Sequence, residues 1–167
     1  MTILIMVITN IIGQCLTTPS APFGIISFEF AFSPERAQEI LNSWNPDAQL
    51  RAAFIQGLDF LFPLVYSVAL GMGCILTAGV LRSRRKLLWG LGVILAWGLA
   101  LAALCDYIEN IALVFLLFDR VQSPFPEIAG VCAVIKFTLI IIAAIYILYS
   151  LVIRIMSRPT RDLKPEP

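Results

Sequence analysis

The chain has 167 residues, 59% of them apolar, with a mean hydropathy of +0.89 and a net charge of +1. A soluble domain of this length is roughly 45–50% apolar, so the excess has to face lipid, and the near-zero charge leaves no electrostatic case for a nucleic-acid partner. Histidine is absent, which removes the commonest ligand of haem and zinc and the commonest proton shuttle.

The first apolar segment, from Ile3 to about Leu16, is interrupted by Asn10 and Gln14. It lacks the basic leader of a secretory signal, and Pro22 follows its only small-residue site at Ser20-Ala21. It reads as a retained, short first helix over 3–17. Turn chemistry follows at Thr17-Thr18-Pro19-Ser20-Ala21-Pro22.

In the segment 18–51, Ser33-Pro34-Glu35 is a helix start, with Ser33 as N-cap and Pro34 where its missing N–H costs nothing. Ala37, Ile40, Leu41 and Trp44 recur at spacings of three and four and share a face. Glu35, Arg36, Gln38, Glu39 and Asn42 occupy the remainder. The pattern predicts a short amphipathic helix, lying along the membrane surface or lidding the bundle. Phe23, Phe28, Phe30, Phe32 and Trp44 give the segment the aromatic character of an interfacial belt.

Asn45-Pro46-Asp47 repeats the cap-then-proline device and leads into a second span over 52–81, which ends at Arg82-Ser83-Arg84-Arg85-Lys86. A third span covers 87–118. A turn over 119–127 with Pro124 and Pro126 leads to a fourth, 128–156. The tail, 157–167, is polar and proline-containing and reads as disordered. The expected fold is therefore all-α: a single four-helix transmembrane bundle over 1–156, with an amphipathic helix in the outer loop between the first and second spans.

Orientation follows from the basic residues. Arg82, Arg84, Arg85 and Lys86, with Arg154, Arg158, Arg161 and Lys164, stand against Arg36, Arg51 and Arg120 in the other two connections. The positive-inside rule puts the basic loop and the tail in the cytoplasm, and with four spans the N-terminus as well. The bacterial inner membrane is the expected location. The same arginines need no further role than setting topology. No internal repeat points to an inverted-repeat transporter.

Cys15, Cys74, Cys105 and Cys132 fall singly, one per predicted helix, with no C-x-x-C spacing. They read as small buried hydrophobes. No metal or cofactor is implied by any of these residues.

Asp59, Asp106, Glu109, Asn110 and Lys136 are strongly polar groups inside the long spans. A charge at the bilayer centre costs about 2.5–3.5 kcal/mol on insertion scales, so they are not expected on a lipid face. At a rise of about 1.5 Å per residue, Asp106, Glu109, Lys136 and Asp59 fall about 5, 10, 8 and 12 Å outward of their span midpoints. Gln14 lies in the outer half of the first helix and Asn10 near its middle, so all four helices bring polar groups to one stratum. Asp106, Glu109 and Asn110 share a helix face, as do Gln56, Asp59, Pro63 and Tyr66. Pro63 has no N–H to give to the Asp59 carbonyl. Small-residue pairs such as Ser67 and Gly71, Ala69 and Gly73, Ala96 and Ala100, and Gly98 and Ala102 allow close helix approach in the inner half.

Two readings of the stratum stand side by side. Lys136 pairs with Glu109 or Asp106 and the network only fixes which helices are neighbours, or the layer lines a cavity open to the outer side. Three carboxyls against one lysine speak for the second.

The strings Phe28-Glu29-Phe30-Ala31, Glu35-Arg36-Ala37 with Ile40-Leu41 and Trp44, Leu58-Asp59-Phe60-Leu61-Phe62-Pro63, and Asp106 with Glu109-Asn110 together resemble a family of small, uncharacterised four-span bacterial membrane proteins. The resemblance covers most of the chain, from the outer loop to the third helix. It implies a four-helix membrane fold and no activity. The motifs of intramembrane aspartyl proteases, thiol oxidases, haem cytochromes and CDP-alcohol transferases are all missing.

The function expected from the residues is that of a non-catalytic binder of a lipid or small apolar ligand, or an accessory subunit of a membrane-protein partner. Its site candidates are Asn10, Gln14, Asp59, Asp106, Glu109, Asn110 and Lys136; none is assigned as catalytic. The competing readings are an enzyme on a lipid or isoprenoid, with Asp106 and Glu109 as acid and base, and a proton or small-cation transporter using Asp59, Asp106, Glu109 and Lys136.

Overall fold

Local chemistry starts the helices that precede the long apolar ones. Ser33, in extended backbone, accepts the Arg36 amide on Oγ at 3.2 Å, and Asn45 Oδ1 accepts the Ala48 amide at 2.8 Å, each with proline in the following first turn. In the computed structural model, which describes residues 12–83 and 87–156, these caps open two of six helices: α1 (Ile25–Glu29), α2 (Pro34–Ser43), α3 (Pro46–Asp59), α4 (Phe62–Ser83), α5 (Leu91–Leu117) and α6 (Phe125–Met156). There is no strand among the described residues.

Three helical stretches, Phe62–Ser83, Leu88–Leu117 and Phe125–Ile153, are long and apolar enough to cross a membrane. They leave large apolar side chains such as Met72, Leu76, Ile94, Trp97, Ile145 and Leu148 facing outward. A water-soluble surface would not carry apolar groups on this scale; lipid is their solvent, and the chain is an integral membrane protein.

The unbroken helix predicted over 52–81 is divided. α3 stops at Asp59, Phe60-Leu61 form a turn in which the Leu61 amide donates to the Leu58 carbonyl at 3.0 Å, and α4 restarts at Phe62. Pro63 supplies the reason: it has no N–H for the Asp59 carbonyl, and its ring crowds that oxygen. α6 begins before the predicted 128, at Phe125, because Pro126 is tolerated in a first turn. Of the first span predicted over 3–17, residues 3–11 lie outside the described residues. The chain at Gln14–Leu16 is a 3-10 turn that passes into extended backbone at Thr17. Arg84-Arg85-Lys86 and the 157–167 tail also lie outside the described residues.

Two apolar clusters organise the interior. One joins the segment before the long helices to the ends of α5 and α6: Leu16, Phe28, Ile40 and Trp44 pack with Leu113, Leu116 and Ala129. Phe28 and Trp44 sit with ring centroids 5.4 Å apart, and Trp44 Nε1 donates to the Leu16 carbonyl at 2.9 Å. The other cluster holds Cys74, Leu81, Leu95, Leu99, Ala143 and Tyr146 between α4, α5 and α6. At Gly92 the helices approach so closely that a Cβ would lie 2.8 Å from both Ala78 Cβ and the Tyr146 hydroxyl oxygen. Tyr146 in turn donates to the Leu88 carbonyl at 3.1 Å. Of the cysteines, Cys74, Cys105 and Cys132 are buried, but Cys15 is exposed, on the turn that replaces regular helix there.

Candidate functional site

Between the two apolar clusters lies a polar one. α5 turns Asp106, Glu109 and Asn110 inward because spacings of three and four keep them on one face, and all three are 2% exposed or less. α6 delivers Lys136 opposite them. Its ammonium donates to Glu109 Oε1 at 2.8 Å and to Asp106 Oδ1 at 3.1 Å. The Phe137 ring lies 4.8 Å from Nζ, within cation–π range, and is itself stacked on Phe30 at 5.8 Å.

A third carboxylate reaches the same ammonium from outside the long helices. Glu29, the last residue of α1, places Oε2 3.9 Å from Lys136 Nζ. Gly24, at φ +59°, makes the turn into this five-residue helix, a backbone conformation that glycine adopts without penalty. Phe28 then anchors the helix in the outer core, fully buried. Glu29 is only 7% exposed. Burial pushes its carboxyl up to about 7 against the pull of Lys136, and Asp59 and Asp106 add to the rise.

Beside Glu29 is a partly open pocket of about 120 Å³, lined by Ile25, Glu29, Ile55, Gln56, Asp59 and Phe62. α3 presents Gln56 and Asp59 to it at a spacing of three. Gln56, 1% exposed, gives its amide nitrogen to Asn110 Oδ1, linking the pocket wall to the buried cluster. Several polar atoms of this region lack a hydrogen-bond partner among the described residues: Glu29 Oε2, Glu109 Oε2, Asn110 Nδ2 and the Tyr66 hydroxyl oxygen. Buried polar atoms are rarely left so. Three carboxyls, those of Glu29, Asp106 and Glu109, lie within 4 Å of one cation, and a fourth, that of Asp59, lines the pocket.

Of the candidates named from the sequence, Asp106, Glu109 and Lys136 are thus in one contact cluster, Asn110 adjoins it through Gln56, and Asp59 stands at the pocket. Gln14 does not take part. It is exposed on the 3-10 turn, where the three-residue period turns Leu16 into the core instead. Asn10 lies outside the described residues. Glu29 was not among the candidates. Its signal is a single acid between two phenylalanines, Phe28-Glu29-Phe30, in a segment with no other acid before Glu35. Gln56 and Tyr66 were legible only as companions of Asp59 on one face.

The chemistry available is that of carboxylates, amides and one ammonium. No group of three or more His, Cys, Asp or Glu among the described residues is arranged to hold a metal ion. No known family, curated protein or solved structure matches the chain. The site's own chemistry is what any reading of function stands on.

Proposed function

We propose that the chain is a non-catalytic binding protein of the bacterial inner membrane, whose ligand is a lipid or small amphiphile seated in the pocket between α1 and α3. In this reading the chain crosses the membrane four times, the segment 18–51 with α1 and α2 faces away from the cytoplasm, and both termini are cytoplasmic. The observation that carries the reading is Glu29. The residue lines a pocket that is half apolar, through Ile25, Ile55 and Phe62, while its Oε2, on the Lys136 side, is buried without a hydrogen bond.

Transport of a proton or cation by Asp59, Asp106, Glu109 and Lys136 is less well supported. Below the cluster the described interior is packed with Leu81, Leu95, Leu99 and Ala143, and its buried polar side chains among the described residues, Thr77, Tyr146 and Ser150, include no carboxyl and no amine. An enzyme reading meets a different obstacle: Asp106 and Glu109 both point at Lys136, in a sealed layer away from the pocket wall.

The test is mass spectrometry of organic extracts from protein purified in a mild maltoside detergent. The parent should carry a lipid-like compound near one per chain, and the Glu29→Gln/Asp59→Asn double variant should lose it. Identical extracts from both would rule out a pocket ligand. A stoichiometric co-purifying protein in place of the compound would make the chain an accessory subunit.

A further inference from the structure

Resting on that reading, we infer that the ligand's head group is a monovalent ammonium, held at the pocket by Glu29, Asp59 and Gln56, with its apolar tail leaving past Ile25, Ile55 and Phe62.

Charge selects the sign. Glu29, Asp106 and Glu109 all lie within 4 Å of Lys136, but Asp59 has no ion pair among the described residues. Lys136 has three N–H donors, and Glu109 and Asp106 take two of them at 2.8 and 3.1 Å while Glu29 Oε2 stays at 3.9 Å. The two acids lining the pocket are therefore the two that the protein's own cation serves least. An anionic head group would add charge of the same sign to a site already rich in carboxyls.

Hydrogen-bond capacity selects the group. A primary ammonium carries three donors and no acceptor. The polar lining residues are Glu29 and Asp59, whose carboxylates accept, and Gln56, whose amide oxygen accepts while its nitrogen is committed to Asn110. All three polar lining residues can accept, which matches the donors one for one. A hydroxyl head group has one donor and would leave most of these acceptors unmet.

Size and surroundings select an amphiphile. The pocket holds about 120 Å³, less than the ~150 Å³ that accommodates benzene in an engineered cavity, so it takes a head group and the first few carbons. The neighbours of the apolar lining residues along the chain, Ile26, Phe54 and Leu61, are exposed apolar side chains. A tail leaving the pocket therefore continues onto an apolar surface.

The full-length protein in maltoside micelles at pH 8 tests this with three six-carbon probes: hexylamine, 1-hexanol and hexanoate. Binding is measured by calorimetry and by the shift in melting temperature. Hexylamine should bind at least about tenfold more tightly than hexanol, since charge-assisted hydrogen bonds exceed neutral ones by that order, and hexanoate should not bind. Asp59→Asn and Glu29→Gln should each weaken hexylamine about tenfold or more, while Asn42→Ala on the exposed face of α2 should leave it unchanged. The comparison of probes on the parent protein needs no variant, so a misfolded mutant does not spoil it. Equal binding of amine and alcohol would overturn the ammonium assignment and leave the amphiphile reading intact. Stabilisation by sodium chloride that hexylamine cannot add to would also overturn it, in favour of an inorganic cation. If no probe binds, the assignment fails, and a one-per-chain lipid in the extracts then decides the broader reading separately.

Discussion

Lys136 Nζ lies 2.8 Å from Glu109 Oε1, with the lysine 5% exposed and the glutamate not exposed at all. The pair joins α6 to α5 in the layer between the two apolar clusters, where neither partner can be compensated by water. Removing one member of a buried pair leaves an unpaired charge and costs about 3–5 kcal/mol. Lys136→Met should be destabilised on that scale, and adding Glu109→Gln should restore part of the loss. Melting temperatures in detergent of the two single variants and the double give the coupling. Strict additivity would mean that the contact contributes nothing.

Trp44 ties the outer segment down through the Phe28 ring and the Leu16 carbonyl. Trp44→Ala removes a side chain that is 3% exposed, a change that typically costs about 3–5 kcal/mol. The segment around Ser20 should become a site of early proteolysis. Cleavage at the parent's rate would show that α2 is not held by this residue.

Glu29 makes stability depend on pH in a stated direction. Its folded carboxyl titrates at about 7 against an ordinary value of 4.5, so the folded chain holds that proton more tightly than the unfolded one. The contribution is fully present below pH 4.5 and is lost as pH rises through about 7. Asp59, Asp106, Glu109 and Lys136 face the same group and must be kept intact. Between pH 5 and 8 the parent should lose more thermal stability than Glu29→Gln does. Parallel curves would show that Glu29 is not the titrating group.

Topology is open to direct labelling. In a cysteine-free background, which must also replace exposed Cys15, Asn42→Cys should react with an impermeant thiol reagent from outside intact cells. Ser83→Cys should react only after lysis. Asn42 is preferred to Ser43, whose hydroxyl is held 2.7 Å from Thr18 Oγ1. The reverse pattern would invert the orientation.

What was legible in the sequence was local or periodic. The caps at Ser33 and Asn45 depend on three or four neighbouring residues, and the inward face of α5 on helical spacing alone. Lys136 stood out because a cation in an apolar helix has few places to go. Glu29 was hidden for the opposite reason: its burial depends on Gly24 turning the chain and Phe28 anchoring it, neither of which leaves a periodic trace. Helical spacing places Gln14 inward, but the backbone at Gln14–Leu16 is 3-10, where that spacing does not hold. The close approach of Gly92 is to α4 and to Tyr146, a contact that its small-residue spacing to Ala96 does not specify.

The joint at Phe60-Leu61 has a mechanical consequence. Ile55, Gln56 and Asp59 belong to the helix before it and Phe62 to the helix after it, so the pocket wall is built on both arms of an elbow. Any bending there changes the aperture directly. On the function proposed above, a ligand in the pocket would therefore bear on the tilt of α4, which runs on to Ser83.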